Sequence, residues 1–148
     1  MMSGASIRFI KSFNIDLVIE AFKYSTLMMG VPTFYTRLIK DKRLDESLTK
    51  NMKLFISGSA PLLTETHQGF YNITGHQILE RYGMTETNMN TSNPFDGERK
   101  AGSVGKPLKD ISIRINKTKG DKDTELNKIG MIEIKGPNVF KGYLNNPE

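Results

Sequence analysis

The sequence predicts an α/β protein in which parallel strand–helix–strand layers are followed by a β-rich region. Two patterns carry that expectation. Over residues 6–82 short apolar runs alternate with helical stripes, the order produced by parallel strands joined through helical crossovers. Beyond Pro94 the period changes: Ile111, Ile113 and Ile115 alternate with Ser112 and Arg114, the mark of a half-buried strand. The change places a boundary near residues 94–100, between a region 1–95 and a region 96–148 that are expected to pack together.

Each element has a local reason. Residues 6–10 (SIRFI) read as a first strand. Asn14 can cap a helix by accepting a backbone N–H bond. Ile15, Val18, Ile19 and Phe22 then repeat at helical spacing, with Asp16 in the first turn, where the helix dipole favours an acid. Residues 26–29 (TLMM) read as a buried strand, with Met28 and Met29 filling core. Pro32 suits the first turn of a second helix, on which Phe34 meets Leu38 and Tyr35 meets Ile39. Residues 53–57 (KLFIS) form a strand that enters Gly58-Ser59-Ala60-Pro61, and a helix follows to about Thr74, ended by Gly75. Residues 77–80 (QILE) are a further short strand, and residues 131–135 (MIEIK) the partner of the Ile111–Ile115 alternation.

Composition narrows the function. The chain has 148 residues, 37% hydrophobic and 25% charged, enough for one domain or a piece of a larger one. It has no cysteine, which excludes a disulfide framework, a thiolate metal site and a cysteine nucleophile. No apolar run reaches the ~18 residues of a membrane span, and the N-terminus lacks the apolar core of a secretory signal. The net charge of +5 is scattered rather than clustered, which argues against nucleic-acid binding and suits small polyanions. The densest run, residues 116–128 (NKTKGDKDTELNK), mixes acids with lysines and reads as a solvated loop. His67 and His76 have no partner at ligand spacing and read as packing or surface residues. The N-x-S/T patterns at Asn72, Asn90 and Asn116 read as incidental.

In open α/β sheets ligands bind beyond the carboxyl ends of the strands. Two stretches qualify: Ser57-Gly58-Ser59-Ala60-Pro61, and Arg81-Tyr82-Gly83-Met84-Thr85-Glu86-Thr87. The small residues of the first let a flat ligand approach the backbone. The second combines a cation, an aromatic face, two hydroxyls and a carboxylate. An aromatic can stack on a base, a threonine can donate to a phosphate oxygen, and a glutamate can hold Mg2+. By residue type alone this stretch fits a ligand loop and a polar sheet-edge turn equally.

The run Glu80-Arg81-Tyr82-Gly83-Met84-Thr85-Glu86-Thr87 resembles the YGxTE signature of the adenylate-forming superfamily, which includes acyl-CoA synthetases, adenylation domains and luciferases. Further matches stand in the family's order. Gly30-Val31-Pro32-Thr33 resembles its VPT segment at the acyl pocket, and Ser57 to Leu62 (SGSAPL) its adenine-side loop. GSVGKP at 102–107 resembles its GxxGxP segment, and GMIEIKGPNVFKGY at 130–143 the β-rich stretch that follows. The runs MGVPTFYTRL, SGSAPLL, ERYGMTETNMNTSNP and GPNVFKGY are most similar to the malonyl-CoA synthetase subgroup.

The resemblance implies roles for the matched positions. Tyr82 would stack on adenine, with Ser59, Ala60, Pro61 and Gly83 beside the nucleotide. Thr85 would contact the α-phosphate and Glu86 would hold Mg2+. Ser57, Gly30, Arg81 and Met84 would face the acyl group, with Asn88 and Met89 just beyond. Phe34 and Tyr35 could shape that pocket or simply pack. A guanidinium facing an acyl pocket is costly without a partner, and a second carboxylate on the substrate would supply one. Arg81 is therefore expected to bind the distal carboxylate of malonate.

The implied reaction joins malonate, ATP and CoA into malonyl-CoA, AMP and pyrophosphate through an acyl-adenylate. ATP, Mg2+ and CoA are the implied cofactors and co-substrates, the compartment would be the cytoplasm or the mitochondrial matrix, and neither nucleic acid nor a membrane span is implied. The family's phosphate loop, its ribose-holding Asp and the C-terminal lid with its Lys have no counterpart in these residues. The chain is thus expected to be an internal fragment of the large N-terminal domain, inactive when isolated. Two other classes fit the residues: a ligase for another carboxylic acid, such as a fatty acid, and a nucleotide-binding module without catalysis.

Overall fold

The structure is a computed structural model that describes residues 4–116 and 129–146. The chain divides into two compact units, Met1–Ile78 and Leu79–Glu148.

The first unit is built from strand and helix in alternation. Helix α1 (Ile15–Phe22) begins where the Asn14 Oδ1 accepts the Leu17 N–H at 3.1 Å. Strand β1 (Leu27–Gly30) leads into α2 (Pro32–Leu38), whose first residue is the proline. The short α3 (Glu46–Thr49) is capped by Asp45 and precedes strand β2 (Leu54–Ser57). Helix α4 (Thr64–Thr74) stops at Gly75, whose φ of 71° is the left-handed turn that glycine adopts without strain. Strands β1 and β2 run parallel, with Gly30 opposite Ser57.

The core of this unit is aromatic. Tyr35, Phe55 and Phe70 are wholly buried. Phe55 meets Phe70 edge-on at 4.8 Å and Tyr35 meets Phe70 at 5.4 Å, the arrangement that ring quadrupoles favour. The Tyr35 hydroxyl donates to the Ile56 carbonyl at 2.7 Å, so the one polar atom of that ring is satisfied. Both histidines pack: His67 is buried on α4, and the His76 ring lies 5.1 Å from Phe55.

Two sequence expectations change in this unit. Residues 6–10 form no strand, and Ile7 and Phe9 are exposed. A strand exists only as part of a ladder, and no described strand pairs with this run. Strand β1 is not buried throughout: its burial alternates, so Met28 packs against the core while Met29 stays 61% exposed.

The second unit is antiparallel. Strands β3 (Leu79–Met84) and β4 (Asn88–Ser92) form a hairpin, and β5 (Lys106–Pro107) adds to β4. Strands β6 (Ser112–Asn116) and β7 (Met131–Lys135) pair separately, as the Ile111–Ile115 alternation and MIEIK predict. Arg114 and Glu133 stand directly opposite in that pair and bridge at 2.5 Å. The antiparallel pattern starts at β3 rather than after Pro94. Strand β4 reads NMNTS, and its buried positions, Asn90 and Thr91, are polar, so no hydropathy period marks it. Beyond Asn116, the lysine-rich run at 117–128 lies outside the described residues. The fold is of the mixed α/β class that the sequence predicts. Among the described residues no helix is long and apolar enough to cross a membrane.

Candidate functional site

In the first unit the register brings two predicted site residues together. Gly30 and Ser57 are partners at the carboxyl ends of β1 and β2, the edge where ligands of parallel sheets bind. A Cβ on Gly30 would lie 3.1 Å from the Phe34 ring and 3.2 Å from the Met28 methyl, so a side chain there would press on both. Ser57 is 1% exposed, and its Oγ has no hydrogen-bond partner among the described residues. A buried hydroxyl left unpaired is costly, which marks a position that a ligand could complete.

The loop after Ser57 is shaped rather than loose. Ser59 has φ 68°, a left-handed conformation uncommon for a residue with a side chain. Ser59, Ala60 and Pro61 are exposed, and Leu62, 4% exposed, anchors the loop in the core. Phe34 stacks on Phe13 at 4.4 Å, whereas Tyr35 belongs to the core, where burial pushes its phenol well above the ordinary range.

In the second unit the signature is a hairpin, not the loop that the sequence reading expects. Arg81 to Met84 lie on β3, and Thr85 to Thr87 form the turn into β4. Successive strand residues face opposite sides, so Arg81 and Tyr82 leave β3 on different faces. The Tyr82 hydroxyl reaches the Met84 sulfur at 3.6 Å. Gly83 is required by contact: a Cβ there would collide with the Asn88 carbonyl across the hairpin. The Arg81 Nε is buried without a hydrogen-bond partner among the described residues. Thr85 and Met84 are exposed at the tip, as is Asn88, while Met89 is half-buried.

The hairpin register slips between Tyr82 and Gly83, so that Tyr82 faces Thr91 and Gly83 faces Met89. Asn90 is the extra residue of this bulge, and bulges re-aim side chains beside functional sites. Here Asn90 is turned fully inward.

Glu86 is held from outside the hairpin. Its carboxylate accepts from the Tyr143 hydroxyl, and its carbonyl accepts from the Phe140 N–H at 2.8 Å. The Tyr143 bond, helped by the residue's own backbone N–H, keeps the Glu86 carboxyl below the usual carboxylate range, so it is ionised at neutral pH. Asn138 also reaches this turn, donating to the Thr87 carbonyl at 2.5 Å. Sequence reading assigned Asn90, Asn138 and Tyr143 no role. The only signal for two of them was their place in the GPNVFKGY run.

The GSVGKP run is structural. The Gly102 N–H donates to the buried Glu80 carboxylate at 3.1 Å. Gly105 has φ 80° and lies so close to Ser92 that a Cβ would overlap its carbonyl. Two open hollows are lined by Arg8–Ser12 with Leu17, and by residues of β6 and β7; neither includes a signature residue.

Residues 1–144 match the model of the AMP-binding enzyme family. The chain belongs to that family. Among curated AMP-binding relatives, the malonate–CoA ligase of Arabidopsis thaliana is 43% identical over 83% of this chain, which corresponds to 21% of the relative. The crystal structure of ATP-bound MatB from Rhodopseudomonas palustris superposes with a TM-score of 0.89 at 54% identity, covering 95% of this chain and 28% of that one. A malonyl-CoA ligase with methylmalonyl-CoA and AMP bound superposes with a TM-score of 0.85 at 36% identity, over 98% of this chain and 32% of that one. The chain therefore spans about a fifth of the curated relative's length and under a third of the two solved AMP-binding structures.

Proposed function

We propose that the chain is the adenine-, Mg2+- and acyl-selecting part of an adenylate-forming acyl-CoA ligase whose substrate is malonate. One observation carries this reading. The residue before the signature tyrosine is Arg81, and its Nε is buried with no hydrogen-bond partner among the described residues. The residue is half-buried, and a guanidinium with a desolvated Nε is suited by an acid; a substrate with a second carboxylate brings one in bidentate geometry. The malonate–CoA ligase relatives agree with that substrate.

The remaining roles follow the matched positions. Tyr82 stacks on adenine, and Ser59, Ala60, Pro61 and Gly83 border the nucleotide. Ser57, Gly30 and Met84 border the acyl group, the unpaired Ser57 hydroxyl being free to donate to it. Thr85 donates to the α-phosphate. Among the described residues no three His, Cys, Asp or Glu side chains gather as a metal cage. A lone ionised carboxylate such as Glu86 suits Mg2+, which is commonly held by one or two carboxylates together with substrate phosphates. When bound, Mg2+ would offset charge on the phosphates.

In the reaction a malonate carboxylate oxygen bonds to the α-phosphorus of ATP and pyrophosphate leaves. The CoA thiol then bonds to the acyl carbon and AMP leaves. Neither step needs a nucleophile from the protein, consistent with a chain that has no cysteine. The test is pyrophosphate release by the full-length enzyme carrying this chain, with malonate, methylmalonate, acetate and a medium-chain acid. Malonate should give the highest kcat/KM; a preference for the medium-chain acid would contradict the reading.

A further inference from the structure

The signature turn is braced by a segment some fifty residues further along the chain, and Asn138 is the centre of that brace. Its Nδ2 donates to the Thr87 carbonyl at 2.5 Å and to the Asn90 Oδ1 at 2.9 Å. The Asn90 Nδ2 in turn donates to the Thr87 Oγ1 at 2.7 Å. Two residues beyond Asn138, the Phe140 N–H donates to the Glu86 carbonyl at 2.8 Å. Consecutive carbonyls of the turn, those of Glu86 and Thr87, are thus tied to one short stretch of backbone and side chain. The Thr87 N–H closes the turn on Met84 at 3.2 Å.

The orientation of the Asn138 carboxamide follows from its neighbours. Both groups that its Nδ2 faces are acceptors, so nitrogen must occupy that side. The Oδ1 is left buried with no donor among the described residues. It points toward Gly136, where a Cβ would come within 2.5 Å of it. Gly136 therefore makes room for an amide whose side-chain bonds among the described residues run to Thr87 and Asn90. The partner amide, Asn90, is the residue that the β4 bulge directs inward, and it is wholly buried. An ordinary β-hairpin tip needs no such device. This one carries Thr85 and Glu86, whose usefulness to a phosphate depends on where the turn aims them.

We propose that Asn138, acting through Asn90 and Thr87, is a positioning residue that fixes the backbone of residues 85–87 and so aims the Thr85 hydroxyl and the Glu86 carboxylate. The proposal rests on the ligase reading above and deepens it. Asn138 touches no substrate; its effect passes through the turn.

The experiment uses the full-length ligase carrying this chain, with acyl-adenylate formation followed by pyrophosphate release. Asn138→Ala should lower kcat about tenfold or more and raise the Mg2+ concentration for half-maximal rate, with the KM for malonate within about twofold of wild type. Asn90→Ala should give the same pattern. The double variant should fall no further than the worse single one, because both remove one network. Asn138→Asp keeps the shape and loses the N–H donors, and it decides by the same readouts if Asn138→Ala does not fold. An unchanged kcat and Mg2+ dependence overturns the proposal. So does a loss that merely tracks melting temperature and weakens malonate and Mg2+ alike. A wild-type enzyme inactive toward every acid overturns the ligase reading and this role with it, whereas an active wild type with unaffected variants overturns this role alone.

Discussion

In the first unit the wholly buried side chains include Tyr35, Phe55 and Phe70, each in contact with another ring. In the second, the buried set includes Glu80, Thr87, Asn90, Thr91 and Asn93. Asn93 donates through Nδ2 to the Glu80 carbonyl at 3.2 Å and to the Ser103 carbonyl at 2.5 Å, and its N–H donates to Glu80 as well. Apolar burial is strong but non-directional. It seats the helices on β1 and β2 and tolerates small adjustments. A buried polar network is directional, and each member is expensive to leave unpaired. It holds a hairpin in one shape, which suits the part of the molecule that bears the signature. The difference assigns the two units different vulnerabilities, to lost volume in one and to lost donors in the other.

The largest effect should come from the ring cluster. Phe55→Ala removes contacts to Phe22, Phe70 and His76 and should cost roughly 3–5 kcal/mol in denaturant unfolding. Phe55→Leu, which keeps most of the volume, should cost clearly less. Equal losses from the two would break the volume argument.

A middle effect is expected in the second unit. Asn93→Ala strands the Ser103 carbonyl, while the Glu80 carbonyl keeps only the backbone N–H of residue 93, and should cost about 1–3 kcal/mol, with faster amide exchange along β3 and β4. Asn93→Leu should be no better than the alanine variant, since volume without a side-chain donor leaves the Ser103 carbonyl unpaired. Recovery of stability with leucine would show that this unit, too, is held by apolar packing.

The smallest effect belongs to an exposed ion pair. Asp41 accepts from the Arg43 backbone N–H and from its guanidinium, and the guanidinium hydrogen bond, more than any other group, draws the Asp41 pKa down to about 2. Its folded pKa lies below the unfolded value of about 3.9, so its contribution is fully present above that pH. It fades as the pH falls toward about 2. The Arg43 side chain is half exposed, so the gain in stability is small. An NMR titration of the Asp41 carboxyl should place its midpoint near 2. A midpoint at the unperturbed value of about 3.9 would show the tie absent in solution.

The same contrast explains what the sequence disclosed. Asn14, Pro32 and Gly75 act on their own neighbours, and each ends or starts a helix where local chemistry says it should. The parallel β1–β2 layer follows from apolar runs and helical stripes. Residues 77–80 read as a strand, but β4 was hidden because its inward positions, Asn90 and Thr91, are polar, so the hairpin looked like a loop. Of the site, the signature residues were legible through resemblance. The brace of Asn90 and Asn138 was not, because those residues stand 48 apart in the chain and no local pattern at either one points to the other. The need for glycine at position 83 likewise arises only when Asn88 folds back across it.

The account turns on Arg81 as the receptor for a second carboxylate, and one measurement tests it most directly. In the full-length ligase, kcat/KM for pyrophosphate release is compared between malonate and propionate before and after Arg81→Gly. Losing the partner of a buried charge costs about 3 kcal/mol or more, so the preference for malonate should fall by more than about a hundredfold. An enzyme that keeps its preference for malonate without the arginine would contradict the account.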